Sequence, residues 1–379
     1  MKPFVSVLIP AHNAEPWIAD AIRSALGQTW SRREIIVVDD GSTDATMAVA
    51  EQFSNQGVRV VTQTNSGASA ARNTAIRLSQ GDYIQWLDAD DLLEPDKIAT
   101  QIEALASCSS KRTLLSGAWG HFYYRTSKAE FSPSPLWHDL TPVDWLLTKM
   151  GQNHHMQPAT WLVSRELTEA AGPWDTRLWR DNDGEYFCRV VLASDGIRFV
   201  PDAKVYYRRS GFNCITHIGR SNRKLESLYL SMVMHVEYLR SLEDSPRVRA
   251  ACLSYLQNWL VYFCVDRPDL VEQLQGLAAT LGGRLTAPRL AWKYAAVQQV
   301  LGRTTAHRCW TYAPMIKQSA LRSWDRTLYR LEQVRREDHQ QSARAYEKRN
   351  WPLAGMPAHS LKLSSVLAAM LKIVNDFWA

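Results

Sequence analysis

The 379-residue chain is too long for one ordinary core and long enough for two domains of roughly 100–200 residues each. With 46% hydrophobic and 22% charged residues, 18 Gly and 16 Pro, it reads as a packed globular protein and excludes collagen-like, low-complexity and disordered classes. Its net charge of +6 is unevenly placed: residues 1–210 hold 21 Lys and Arg against 25 Asp and Glu, residues 211–379 hold 23 against 13. This predicts an acidic, cation-binding first part and a basic second part facing phosphates, anionic lipid or acidic polymer.

The six cysteines (Cys108, Cys188, Cys214, Cys252, Cys264 and Cys309) form no C-x-x-C, so neither a zinc cage nor a disulfide framework is indicated. The first ten residues lack the form of a signal peptide, and no apolar run approaches the roughly 18–20 residues of a spanning helix. A cytoplasmic protein is expected.

In chain order, apolar and β-branched runs at residues 4–9, 34–38, 58–63 and 83–87 predict strands. The segments between them predict helices, the first from Ile18, Ala21, Ile22, Ala25 and Leu26 on one face. A βαβα rhythm implies parallel strands. The second helix is predicted to open after Gly41-Ser42-Thr43-Asp44, with Ser42 as a cap. From Thr113 to Arg209 the pattern mixes, and beyond Gly211 long helices are predicted at 225–242, 247–264 and 320–349. The expected division is therefore 1–210, with halves 1–105 and 106–210, followed by a helical region 211–379.

Ligands of open α/β sheets bind beyond the carboxyl ends of the strands. Those ends carry Pro10-Ala11-His12-Asn13, Asp39-Asp40-Gly41-Ser42, Asn65-Ser66-Gly67 with Arg72, and Asp88-Ala89-Asp90-Asp91. Three acids within four residues repel unless a cation neutralises them, and hard oxygens suit Mg²⁺ or Mn²⁺. An acid-rich helix cap is the competing reading of that cluster.

These four motifs, in this order and spacing, resemble the family 2 glycosyltransferases of GT-A fold, strongly over residues 4–105 and more loosely to about 210. The resemblance implies an open twisted α/β sheet with flanking helices, followed by a mainly helical C-terminal region. It implies a nucleotide site of Pro10, Ala11, Asn13, Asp39, Asp40 and Asn65, with Arg72 near the diphosphate. Asp88 and Asp90 match the family's D-x-D pair, Asp90 reaching a Mg²⁺ or Mn²⁺ ion and Asp88 the ribose or a metal-bound water. The segment 172–189 resembles the family's later acid cluster, which makes Asp183 the expected base, with Asp181 and Glu185 as competitors and Asn182 orienting the acceptor. Asp91 and Arg208 are further candidate contacts to diphosphate or acceptor. His154 and His155 lack a third ligand and read as a loop facing the acceptor. Trp119, Trp137, Trp145, Trp161, Trp174 and Trp179 include candidate sugar platforms.

The implied activity is inverting, metal-dependent transfer of one sugar from a nucleoside diphosphate sugar, UDP-linked, to a hydroxyl of a glycan or lipid-linked saccharide in cell-surface polysaccharide or glycoconjugate synthesis. A polyprenyl phosphate acceptor and a non-catalytic nucleotide-sugar-binding module are the alternatives; nucleic acid is not an expected partner. Arg322, Arg326, Arg330, Arg335, Arg336, Arg344, Lys348 and Arg349, with an amphipathic stretch over 360–377, predict peripheral attachment to the anionic cytoplasmic face of a membrane.

Overall fold

Alternation of large apolar side chains explains the first strands. In β1 (Val5–Ala11), Leu8 joins one buried cluster while Val5, Val7 and Ile9 join another, so the strand feeds a core on each face of its sheet. The same division holds in the second strand, where Ile36 and Val38 face one core and Ile35 and Val37 the other. The structure, a computed structural model, describes residues 2–108, 110–211, 221–288, 299–300, 302, 305 and 315–335. Two compact units, 1–326 and 327–379, make up the chain; the described part of the second, 327–335, is helical.

After β1 come α1 (Ile18–Leu26), β2 (Arg33–Asp39), α2 (Thr46–Glu51), β3 (Val58–Thr62), α3 (Ala68–Leu78), β4 (Tyr83–Trp86), β5 (Leu92–Leu93) and α4 (Lys97–Ala104). The chain continues through β6 (Thr113–Phe122), β7 (Glu130–Phe131), α5 (Pro142–Gln152), β8 (Leu162–Ser164), α6 (Arg165–Ala171), α7 (Asn182–Ala193) and β9 (Gly196–Arg208). Helices α8 (Asn222–Leu242), α9 (Pro246–Trp259) and α10 (Pro268–Thr280) follow.

The strands form one sheet in the order β3-β2-β1-β4-β8-β6-β9-β5, with β7 on β6. Strands β3, β2, β1 and β4 are parallel, as the βαβα rhythm predicts. Parallel pairing stops there: β8 runs antiparallel to β4 and β6, so the sheet is mixed. Strand order reverses between β1 and β4, and that switch point opens the crevice in which doubly wound sheets bind ligands. The 10-residue β6 and 13-residue β9 pair in parallel, and β9 in turn pairs with β5, just after the acids at residues 88–91.

Two predicted helices differ. Helix α2 starts at Thr46, whose N–H donates to Asp44 Oδ1 at 3.0 Å, so Asp44 rather than Ser42 serves its first turn. Helix α9 stops at Trp259 and tightens into a 3₁₀ turn at Leu260–Tyr262, because Trp259, Val261, Tyr262 and Phe263 are poor helix formers in succession. Residues 315–335 are helical; the rest of the predicted 320–349 helix and the 360–377 stretch lie outside the described residues.

The core on the α7 side of the sheet contains Trp86, Trp145, Trp161, Trp174, Tyr186 and Phe187, and runs without a break into Leu228, Met232 and Val236 of α8 and Leu256 of α9. Trp174 and Tyr186 stack with centroids 3.9 Å apart, and Trp86 meets Trp174 edge-on. Trp174→Ala is therefore expected to cost about 3–5 kcal/mol of unfolding free energy, read as a lower urea midpoint.

Candidate active site

The first wall of the crevice is made by loops that two buried acids hold. Asp39 accepts from the Ser42 hydroxyl, the Ser42 N–H at 3.2 Å and the Thr62 hydroxyl at 3.2 Å. Asp40 accepts from the Ser66 N–H at 2.9 Å, the Gly67 N–H at 2.8 Å and Gln63 Nε2 at 2.7 Å. Both carboxylates thus shape the turns after β2 and β3, with little acceptor capacity left over. Gly41, at φ +64°, lets the two turns meet, since a Cβ there would lie 2.8 Å from the Asn65 N.

Ser42 also accepts from the Asn13 N–H at 2.9 Å, which joins β2's loop to the end of β1. Asn13, at φ +49°, accepts from the Thr43 N–H at 2.9 Å. Pro10 and Ala11 pair in register with Val38 and Asp39. The exposed surface here is His12, Asn13, Asn65 and Ser66, with the Asn65 amide 3.2 Å from the His12 ring. His12 lies inside the Pro10–Asn13 segment expected to form the base and ribose wall.

The second wall is the turn after β4, closed by the Asp91 N–H on Asp88 O at 3.0 Å. Asp88, 29% exposed, pairs with Arg72 Nη2 at 2.9 Å, and the guanidinium lies 4.4 Å over the Trp174 ring. Only 7% of the Arg72 side chain is exposed, yet its Nε and Nη1 have no hydrogen-bond partner among the described residues. Buried donors on a fixed cation are costly to leave unpaired, so this arginine is set to receive oxygens. Asp90 is partly exposed. Burial and the Asp88 charge push its carboxyl up to about 6, against the Ser210 hydrogen bond and the Arg208 charge.

Asp91 and Arg208 are committed inside the protein rather than offered to a ligand. Asp91 has no exposed surface, accepts from the Arg208 N–H at 2.8 Å and from Gln157, and is pushed well up by burial and by Asp90 and Asp88. Arg208, 4% exposed, donates to Asp90 O at 2.8 Å and Asp20 at 3.1 Å, with its guanidinium 4.6 Å from the Trp17 ring and 4.5 Å from Phe122. It pins the backbone of the acid turn.

Across α3 lies the later acid cluster. Asp181 precedes α7 at φ +58° and accepts from the Ser231 hydroxyl at 2.9 Å. Burial raises its pKa, but His235, Lys149, Arg180 and that hydrogen bond together hold it below the usual carboxylate range. Gly184 is required: a Cβ there would lie 2.0 Å from Asp181 Oδ1. Asn182 reaches Ser69 at the start of α3 at 3.3 Å, while Asn73 of α3 exchanges two bonds with the Trp174 backbone, so the two acid clusters are tied through one helix. Glu185 is sealed, bonded by Arg189 and by the Tyr238 hydroxyl at 2.7 Å. Asp183 is partly exposed, with no hydrogen bond to its carboxylate among the described residues.

His155 keeps an exposed face beside Trp119, centroids 5.2 Å apart; the protein packed around the rest of its ring and the Lys149 charge lower its pKa, opposed by Asp183 and Asp181. Trp119, His121 and Tyr207 continue this aromatic wall. Of the candidate sugar platforms, Trp145, Trp161 and Trp174 are core, whereas Trp119 and Trp179 remain partly open, Trp179 covering Gly67. Among the described residues no group of three or more His, Cys, Asp or Glu is arranged to hold a metal ion. The acid turn therefore supplies one or two carboxylates, and a ligand's own oxygens must complete any site for a hard cation.

The sequence profile described as Glycosyl transferase family 2 matches residues 6–170, the stretch that carries the switch point and the first acid clusters. That stretch is a family 2 glycosyltransferase domain. Chondroitin synthase of Escherichia coli is 46% identical over 98 residues, 25% of this chain and 14% of that protein. The putative teichuronic acid biosynthesis glycosyltransferase TuaG of Bacillus subtilis (strain 168) is 42% identical over 105 residues, 27% of this chain and 42% of TuaG. The chain thus spans less than half the length of either. S. aureus TarS superposes with a TM-score of 0.54 over 81% of this chain and 55% of that one at 17% identity, which shows a shared GT-A-type fold.

The raised carboxyl of Asp90 gives a prediction for the metal-free domain. A folded-state value above the ordinary 3.8 means that this group's stabilising contribution is present at low pH and is lost as pH rises toward about 6. Asp90→Asn is expected to raise the unfolding free energy of the metal-free protein at pH 7 by about 1–2 kcal/mol, a gain that disappears near pH 4. Thermal melts in chelator at both pH values check it.

Proposed function

We propose that the chain is an inverting glycosyltransferase that moves one sugar from a nucleoside diphosphate sugar to an acceptor hydroxyl. The observation that carries this reading is Arg72, whose buried N–H groups, unpaired among the described residues, belong to a side chain paired with Asp88, two positions before Asp90 in the chain. Such a pairing of donors with acids suits a diphosphate that brings a divalent cation. A uridine donor is in keeping with TarS, whose structures are in complex with UDP and UDP-GlcNAc.

The nucleotide lies along Pro10, Ala11, Asn13 and Asn65, on loops that Asp39 and Asp40 hold, and next to His12. Asp88 would meet the ribose or the water around a bound cation, and Asp90 would hold Mg²⁺ or Mn²⁺, which when bound would neutralise charge on the departing diphosphate. Arg72 holds that diphosphate with its free N–H groups, while Arg208 and Asp91 keep the acid turn in place. The acceptor hydroxyl, against Trp119 and His155, attacks the anomeric carbon as the bond to the diphosphate oxygen breaks, and Asp183 takes the hydroxyl proton. Single displacement inverts the anomeric centre. Asp183 is preferred over Asp181 and Glu185 because those two are already occupied by Ser231 and by Arg189 with Tyr238.

A glycan or lipid-linked saccharide is the proposed acceptor, in surface polysaccharide synthesis at the cytoplasmic face of a membrane. No helix among the described residues is long and apolar enough to cross one. Arg326 is exposed for such a contact, whereas Arg322 is bonded to Ser210 O; Arg336, Arg344, Lys348 and Arg349 lie outside the described residues.

Two experiments test the reading. Donor turnover is expected to stop in excess chelator and return with Mn²⁺ or Mg²⁺; full turnover without metal overturns Asp90's role. Asp183→Asn is expected to lower kcat by about 10²–10⁴ with donor affinity nearly unchanged. An unaffected kcat points instead to a phosphate acceptor, which arrives already ionised.

A further inference from the structure

Helix α8 is buried against the domain through Leu225, Leu228, Met232, Val236 and Leu239, yet the same helix buries Ser227, Ser231 and His235 at i, i+4 and i+8. Buried polar groups in an apolar face are unfavourable unless each finds a partner. Ser227 and Ser231 do, and His235 does at Nδ1, its Nε2 having no hydrogen-bond partner among the described residues; the partners come mainly from the segment that leads into α7. The Ser227 hydroxyl accepts from the N–H groups of Trp179 and Arg180, both at 2.8 Å, and donates to Arg180 O at 2.8 Å, which uses its full capacity. Ser231 donates to Asp181 at 2.9 Å. His235 lies 3.7 Å from the same Asp181 oxygen and is fixed by the Tyr255 hydroxyl of α9 at 2.7 Å. Three residues on, Tyr238 donates to Glu185.

We infer that this stripe is a clamp: α8 sets the conformation of residues 179–185, and so the direction of Asp183, making Ser227 and Ser231 positioning residues for proton transfer. The inference rests on Asp183 being the base. Its physical basis is the left-handed Asp181, a backbone state that costs a non-glycine residue free energy and that the surroundings here hold in place. Ser231 supplies the bond that does so, and Gly184 leaves the carboxylate room to reach it. Arg223, over the Trp179 ring at 3.5 Å, extends the same contact by one more turn.

The test uses the full chain and two readouts. In Ser227→Ala, amide hydrogen exchange at Trp179 and Arg180 is expected to quicken at least about tenfold, while Val190 and Val191 inside α7 keep their protection. In Ser231→Ala, kcat for transfer is expected to fall about tenfold or more with the donor KM within about twofold, and Ser231→Thr, which keeps the hydroxyl, to recover most of it. Val236→Ala, an apolar truncation on the same helix, controls for stability: it lowers Tm with kcat retained. Unchanged exchange at Trp179 and Arg180 overturns the clamp, as does a kcat that follows Tm through all the variants, Val236→Ala included. Should the wild-type chain transfer no sugar, the functional reading fails, and the exchange readout still decides the clamp.

Discussion

Removing a carboxylate from water is unfavourable by several kcal/mol unless donors surround it, and this crevice collects acids from three separate stretches of chain, 39–40, 88–91 and 181–185. Each is handled in one of two ways. Asp39, Asp40, Asp91, Asp181 and Glu185 are given partners from within the protein and become struts: they hold the turns after β2 and β3, the acid turn after β4, and the entry to α7. Asp88, Asp90 and Asp183 retain exposed surface, Asp88 beside its Arg72 partner, and Asp181 keeps some exposure beside its Ser231 bond. The struts fix the turns on which the open acids stand.

This division explains why Arg208 is so enclosed. Its guanidinium is wedged between Trp17 and Phe122, and from there it reaches the Asp90 carbonyl and Asp20 while its own N–H serves Asp91. One arginine thereby links β9, the acid turn and α1. Arg72 is the opposite case, a cation held by Trp174 and Asp88 with donors to spare. One arginine is saturated within the protein, and the other keeps unpaired donors among the described residues.

The helical region contributes through the same logic. Its apolar residues merge with the core beneath the sheet, and its buried serines and histidine face the segment before α7. Folding of the later acid cluster is in this way coupled to helices that begin some forty residues beyond it.

Much was legible in the residues themselves. Alternating apolar positions fixed β1 to β4 and their two faces, because the strand period of two sorts side chains without help from the rest of the chain. The four motifs at the strand ends pointed to the domain family and to the acids as a group. Which acids stay open was not legible: Asp90 and Asp91, or Asp181 and Asp183, differ only in which neighbours surround them, and those neighbours, Arg208, Gln157 and Ser231, lie up to about a hundred residues away. Nor did the sequence show where parallel pairing ends, since β8 is three residues long, or that Ser42 ties two loops instead of capping a helix. Local periodicity is a property of the chain; the pairing of a charge with its counter-charge, and hence its availability to a substrate, is decided only when distant segments meet.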